Sequence, residues 1–343
     1  MSSQFLPRVV FPTLDSLPRS YFLGHHKAGL TKMKTMLNTI DLIIECRDYR
    51  VPLTSRNPLF EASLAGRQRL IVYTKKDLGS HHKTADLKRE QIITQWHAPS
   101  PVLFSDHKDR RDVRRVLEFA REFADRTMSL TGLRLMVVGM PNVGKSSLLN
   151  ALRMQGVGKG KAAFTGAQPG VTRKITTGVR IIESSEQSEG VFLVDTPGVF
   201  IPYVPDAEAM LKLALCGNIK DNIISPTTQA DYLLYHMNVQ SPDLYAEYHP
   251  PTNEVMDLLS AVAVKTGRLQ KGGTPDAESS ALWLIQRWRT GNFGRFLLDK
   301  VTEDALEMAK LEETNQVPSF HQAKKADKEL RRARSRSRNM DVS

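Results

Sequence analysis

Gly139-Met-Pro-Asn-Val-Gly-Lys-Ser146 stands near the middle of the chain, and what surrounds it decides the fold. The apolar run 135–138 precedes it, and Ser147-Leu-Leu-Asn-Ala-Leu152 opens a helix after it. Strand, glycine-containing turn and helix start, in that order, make a phosphate-binding loop. The glycines let backbone N–H groups approach phosphate oxygens, and the helix N-terminus adds its dipole. Downstream, the apolar run 191–194 leads into Asp195-Thr-Pro-Gly198. The one good base-reading segment, Thr74-Lys-Lys-Asp77, follows the run 70–73 and lies upstream of the loop. The base reader thus comes first and the phosphate loop second, the reverse of the usual order, so the nucleotide-binding domain is circularly permuted.

Each residue type fits a task. Lys145 would contact the β and γ phosphates and Ser146 would ligate magnesium, with Asn142, Val143, Gly144 and Ser147 completing the cradle. Asp195 would hold the same ion directly or through water, and Gly198 would offer its N–H to the γ phosphate. Thr172, in Pro169-Gly-Val-Thr-Arg173, lies between loop and Asp195 and is the candidate second hydroxyl on magnesium. Asp77 would accept hydrogen bonds from guanine N1 and its exocyclic amine, donors that adenine lacks. Thr74 opens that loop, Lys75 would lie along the base plane, and Ser105 would support the base from the next strand end. The set describes a GTPase, with GTP and GDP as its nucleotides and Mg²⁺ as its ion. Val199 stands where Ras-type enzymes carry a water-orienting glutamine; valine holds no water, so turnover by the chain alone should be slow.

Residues 40–45 and 101–104 are further short apolar runs. Continuous apolar strands that end in functional loops mark a parallel sheet covered on both faces, with ligands beyond the strands' carboxyl ends. Between Ser105 and the loop strand, Val113, Val116, Leu117, Ala120, Phe123 and Ala124 recur at helical spacing and predict a helix over 109–127, the joint of the permutation. Residues 155–170, rich in Gly and Lys, read as a mobile loop. Beyond 204 the pattern turns helical, over 207–215, 230–237, 253–266 and 279–289, punctuated by Pro205, Pro226, Pro242, Pro250 and Pro251. The expected fold is an α/β phosphate-loop GTPase domain over 21–204, circularly permuted, with a mostly parallel sheet and helices on both faces. A small all-α domain over 205–318 follows it. Residues 1–20 form an N-terminal extension, and 319–343 a basic tail expected to be disordered without a partner.

The chain has 343 residues, enough for two domains, and a net charge of +11. Such an excess suits a polyanion, either RNA or an acidic membrane surface touched from outside. It is concentrated in the tail, where Lys324, Lys325, Lys328, Arg331, Arg332, Arg334, Arg336 and Arg338 face only Asp327, Glu329 and Asp341. No apolar run approaches the roughly 18 residues of a membrane span. Cys46 and Cys216 lack metal-ligand spacing and read as buried, reduced thiols. Residues 1–30 carry Arg8, Arg19 and Lys27 against Asp15 alone, as mitochondrial targeting segments do, although Pro7, Pro12 and Pro18 interrupt any long helix there.

Together these segments resemble the circularly permuted ribosome-biogenesis GTPases of the bacterial YlqF/RbgA type and their mitochondrial relatives, the mitochondrial ribosome-associated GTPase 1 group. Gly24-His25 resembles the family's N-terminal Gly-His element. Arg47-Asp-Tyr-Arg-Val-Pro-Leu-Thr-Ser-Arg-Asn-Pro58 resembles its Asp-Ala-Arg-x-Pro-Leu-Ser-Ser-Arg-Asn-Pro signature, with Arg47 and Asp48 in place of the small and basic residues of its opening. Trp288-Arg-Thr-Gly-Asn-Phe-Gly-Arg-Phe296 resembles its C-terminal Phe-Arg-x-Gly-x-Leu-Gly-Arg element. The resemblance implies a helical RNA-binding domain and a role in assembly of the large ribosomal subunit. It implies that other groups compensate for Val199, with His25 a candidate to position the attacking water. It also makes Asn142 a candidate ligand for K⁺ near the phosphates. Thr74 replaces the more usual asparagine, which removes an amide that braces the base loop.

The leading reading is a monomeric, GTP-driven assembly factor that binds the maturing large subunit and its rRNA and leaves after hydrolysis. Its expected place is the mitochondrial matrix side, with peripheral contact to the inner membrane; the bacterial cytoplasm is the alternative. A nucleotide-regulated RNA- or ribosome-binding scaffold with little turnover is the second reading, and an ATPase the third. RNA contacts would go mainly to phosphates and weaken steeply with salt.

Overall fold

The computed structural model describes residues 5–12, 37–56, 61, 64, 66–80, 82–127, 129, 132–162, 178–184, 189–195, 206–219 and 223–314. His25, Thr172, Gly198 and Val199 lie outside them, as do Gly24, Asn57, Pro58 and the tail beyond 314.

Among the described residues six strands form one sheet: β1 (Leu42–Asp48), β2 (Arg69–Thr74), β3 (Val102–Ser105), β4 (Leu133–Gly139), β5 (Val179–Ile182) and β6 (Val191–Asp195). Their spatial order is β3-β2-β1-β4-β6-β5, parallel throughout except for β5, which runs against β6 at the edge. The first three strands step outward from the centre to one edge, and the last three occupy the other side. The strand leading to the phosphate loop is therefore central in space although fourth in the chain, which is the permutation seen in three dimensions. The two halves of the sheet diverge between β1 and β4, and ligands in open α/β sheets bind outside the strand ends at such a switch point.

Helices α1 (Lys83–Trp96), α2 (Arg110–Thr127) and α3 (Lys145–Val157) connect these strands. Val113, Val116, Leu117 and Ala120 bury one stripe of α2, as their spacing predicts. β1 runs to Asp48, past the apolar run that marked it, because its charged residues are buried and paired. Arg47 reaches Glu45 at 2.7 Å and Glu61 at 2.8 Å. Residues 155–157, expected in a mobile loop, instead form the last turn of α3. That helix stops at Gly158, whose φ of 65° is a left-handed cap favoured by glycine. Helix α1, strand β5 and the last helix, Glu303–Thr314, were not expected. Leu87 on α1 is exposed, so its apolar residues do not form one stripe, and β5 is only four residues long.

The helical region contains α4 (Ala207–Leu215), α5 (Pro226–Gln240), α6 (Val255–Thr266), α7 (Ala277–Arg289) and α8 (Glu303–Thr314). The N-terminal caps of three of these helices are legible in the sequence. The side chains of Asp206, Ser225 and Asp276 accept the N–H groups of Ala209, Thr228 and Ser279, and Pro226 takes the first position of α5. Among the described residues no helix is long and apolar enough to cross a membrane. Cys46 and Cys216 are free and buried, and burial pushes both thiols up to about 12, so they stay protonated at neutral pH.

Candidate nucleotide-binding site

Strand register brings the motifs to one edge of the sheet. Asp48 at the end of β1 is level with Thr74, and Thr74 with Ser105. Gly139 pairs with Cys46, and Val137 with Asp195. Loops that are distant in sequence therefore open onto one crevice at the carboxyl ends of the strands.

In the phosphate loop, Gly139 has a φ of 146° and Gly144 one of 97°. A side chain at Gly139 would collide with the Cys46 carbonyl. Lys145 is buried, and its Nζ donates to the carbonyls of Gly139 at 3.0 Å and Met140 at 2.8 Å. Burial lowers its pKa, with Asp195 opposing that shift. Ser146 Oγ donates to Asp195 Oδ2 at 2.8 Å, and Asp195 is fully buried. A hydroxyl beside a carboxylate at the mouth of a phosphate loop is a hard-oxygen donor set that fits Mg²⁺, which completes its shell with phosphate oxygens and water. The residues present therefore fit the ion.

The base loop is held from beneath. Lys75 is left-handed, with a φ of 58°, and its Nζ lies 2.8 Å from Asp48 Oδ2. Arg50 grips the same carboxylate with two side-chain N–H groups, at 2.9 and 2.8 Å, and with its backbone N–H at 3.1 Å. Burial alone would raise the Asp48 carboxyl; Arg50 and Lys75 outweigh it and hold the group below the usual carboxylate range. Among the described residues only Lys75 and Asn142 are non-glycines in the left-handed region, and both belong to this site. Backbone strain of that kind concentrates at ligand-binding positions.

Thr74 does the bracing that its replacement of asparagine was expected to remove. Its hydroxyl sits between the carbonyls of Arg47, at 3.0 Å, and Val143, so the base loop is tied to the phosphate loop. Asp77 meets Lys108 at 3.2 Å, and the Lys108 side chain is 66% exposed. Such a surface pair is weak and leaves Asp77 available to a base. Ser105 is buried at the end of β3.

A contact that the sequence does not announce joins the site to the helical region. Helix α4 ends in a Schellman motif: Gly217 N–H donates to Ala214 O and Asn218 N–H to Leu213 O, both at 2.8 Å, with Gly217 at a φ of 76°. The turn leaves two carbonyls pointing outward. Gly217 O accepts Asn142 Nδ2 at 2.9 Å, and Cys216 O accepts Arg50 at 3.2 Å. Asn218 Nδ2 reaches Pro141 O at 2.8 Å. The C-terminal signature supports the turn from behind. Arg289 donates to the carbonyls of Leu215 and Ala214 at 2.9 and 2.8 Å, and the Trp288 ring lies 5.0 Å beneath the Arg50 guanidinium. Asp299 accepts the N–H groups of Leu53 and Thr54, both at 2.8 Å, and pairs with Lys212 at 3.2 Å.

The structure thus brings Thr74, Lys75, Asp77, Ser105, Asn142, Val143, Gly144, Lys145, Ser146, Ser147 and Asp195 to one edge. Thr172, Gly198 and His25 fall outside the described residues. Asp48 and Arg50 were missed as site residues. The 47–58 stretch held the signal. Aligned on Pro52-Leu53, Asp48 and Arg50 coincide with the signature's acid and arginine, so the opening departs at Tyr49 rather than at Arg47 and Asp48, and Thr54 takes a serine position.

The profile of a family described as 50S ribosome-binding GTPase matches residues 134–263. Mitochondrial GTPase 1 of Schizosaccharomyces japonicus is 35% identical over 303 residues, covering 83% of this chain and 91% of that one. Mitochondrial ribosome-associated GTPase 1 of Xenopus tropicalis is 36% identical over 301 residues, covering 81% and 94%. The crystal structure of GNP-bound YlqF from T. maritima superposes with a TM-score of 0.53 at 22% identity, covering 79% of this chain and 97% of that one, a likeness of fold.

Proposed function

The chain belongs to the mitochondrial GTPase 1 family, whose members are also called mitochondrial ribosome-associated GTPase 1, and from that premise we propose a GTP-driven assembly factor for the mitochondrial large ribosomal subunit. It is a GTPase. In the proposed cycle the triphosphate form binds the maturing particle and its rRNA, and hydrolysis releases it. The protein acts as a monomer on the matrix side, with peripheral contact to the inner membrane.

Mg²⁺ would supply positive charge to offset the charge that develops on the phosphates. Ser146, Asp195 and Thr172 would hold it. Lys145 would leave the carbonyls of Gly139 and Met140 and turn to the β and γ phosphates. Asp77 would read guanine, Lys75 would flank it from its seat on Asp48, and Ser105 would support it. Gly198 would donate its N–H to the γ phosphate, His25 would position the attacking water in place of a side chain at Val199, and Asn142 would add a K⁺ ligand.

The observation that carries this reading is the junction at Gly217 and Asn218. The phosphate loop hydrogen-bonds directly to the helical region, so a change in one shifts the other. The reading predicts that the chain loaded with a non-hydrolysable GTP analogue co-sediments with mitochondrial large subunits about 5–150-fold more tightly than the GDP form, the usual range of coupling between two sites. Equal affinity in both states would contradict it and the nucleotide-regulated scaffold alike; a state-dependent affinity without stimulated turnover would leave the scaffold reading, which Val199 favours.

A further inference from the structure

We propose that the outer face of the first two turns of α2, with Lys159 and Lys161, is a docking surface for the phosphate backbone of structured RNA. It lies on the GTPase domain, separate from the helical region, and the proposal rests on the ribosome-directed reading above.

Helix α2 opens with Arg110-Arg-Asp-Val-Arg-Arg115, and all four arginines are exposed. Among the described residues none of them makes an ion pair. Asp112, the acid of that turn, faces the other way, its Oδ2 accepting the Asp106 N–H at 2.9 Å. Folding does not require this arrangement. The partially positive end of a helix disfavours cations, and Arg110 with Arg114 and Arg111 with Arg115 are like charges one turn apart, which costs helix stability. The stripe that holds the helix to the sheet is Val113, Val116, Leu117 and Ala120 on the opposite side. A patch that works against its own helix and contributes nothing to the core is accounted for by a bound polyanion.

The surface extends onto α3. Gln155 Nε2 donates to Arg110 O at 2.9 Å, which sets the end of α3 beside the start of α2. The chain then turns at Gly158 into exposed Lys159 and Lys161. Arginine forks match phosphate oxygens in pairs, and double-stranded RNA is held chiefly through phosphate and 2′-hydroxyl contacts. A membrane-surface helix would need an exposed apolar face. The exposed residues over 110–118 are Arg110, Arg111, Arg114, Arg115 and Glu118, which have none.

The test uses the full chain and its Arg111→Gln/Arg114→Gln/Arg115→Gln variant. Binding is measured across a salt series to an RNA duplex, to mitochondrial large subunits and to vesicles of anionic phospholipid. GTP hydrolysis without subunits should match the parent, which shows that the nucleotide site is intact. The proposal expects RNA-duplex and subunit binding to weaken at least about tenfold, and the slope of log affinity against log salt to shrink by about three, one for each lost phosphate contact. Lys159→Gln/Lys161→Gln should shrink it by about two on the same basis. Unchanged RNA affinity and slope, or a loss confined to vesicles, overturns it. If the parent binds subunits and the variant binds equally, the surface fails and the ribosome reading stands. If the variant loses duplex binding but the parent ignores subunits, the ribosome reading fails and the surface stands.

Discussion

Replacing Lys145 by alanine is expected to lower GTP hydrolysis by about 10²–10³-fold, the cost of deleting one preorganised group that stabilises developing charge. The side chain is buried at the start of α3, and its ammonium rests on two carbonyls of its own loop. A cation held on carbonyls is poised to move to the negative charge of a triphosphate, and burial strengthens that interaction. Deletion also leaves the Gly139 and Met140 carbonyls without this donor, an instability of about 1–3 kcal/mol, so the variant must be followed by thermal unfolding as well as by turnover. Lys145→Arg keeps the charge. Its failure to hydrolyse, with nucleotide binding retained, would point to the geometry of the ammonium. Full activity of Lys145→Ala would remove the lysine from the mechanism.

The second large effect is predicted at Asp48. Its carboxylate is fully buried and is the shared partner of Arg50 and Lys75. Asp48→Ala would leave both cations without their carboxylate, Arg50 fully buried, and breaking a buried pair from one side costs about 3–5 kcal/mol. Two readouts should move together. The denaturant midpoint should fall, and affinity for guanine nucleotides should drop because Lys75 loses the anchor that holds its left-handed loop. Asp48→Asn/Arg50→Gln, which removes both charges, should recover much of the stability but not the nucleotide affinity, since Lys75 still lacks its seat. Loss of stability alone, with affinity intact, would reduce Asp48 to a core ion pair.

These two residues also show what the sequence reveals and what it hides. Lys145 was legible because a phosphate loop needs small residues, a cation and a hydroxyl in fixed succession, all within one turn of chain. Asp195 was legible because it ends an apolar strand, and Asp77 because it follows one by three residues, and parallel strands deliver their ends to one edge. Asp48 was not. Charged residues at 45, 47 and 48 look like the end of a strand, and only the pairing of Glu45 with Arg47, and of Asp48 with Arg50, explains why β1 continues through them. The cap residues Asp206, Ser225 and Asp276 mark helix starts locally, and four helices of the helical region, α4 to α7, lie within a few residues of where their patterns put them, whereas α8 was not expected. The Gly217 turn is the converse case. A glycine after a helix announces a stop, but nothing local says that the freed carbonyls meet Asn142 and Arg50, which lie far away in sequence.

That junction changes how the permutation is understood. The chain order offers one route for switch motion, along the segment that follows Asp195 into the helical region. The described residues add a second route that is not covalent: phosphate loop to Gly217 and Asn218, and base loop to Cys216 through Asp48 and Arg50. The phosphate loop directly, and the base loop through Asp48 and Arg50, meet the turn that ends α4, which Arg289 and Trp288 of the C-terminal signature support.

The most direct measurement is steady-state GTP hydrolysis by the purified full chain, alone and with mitochondrial large subunits, in K⁺ and in Na⁺ buffer. The account predicts slow turnover alone and stimulation by the subunit, up to about 10³–10⁵-fold where missing catalytic groups are supplied, with the larger effect in K⁺. Tight nucleotide binding with the same slow turnover whether or not subunits are present would contradict it.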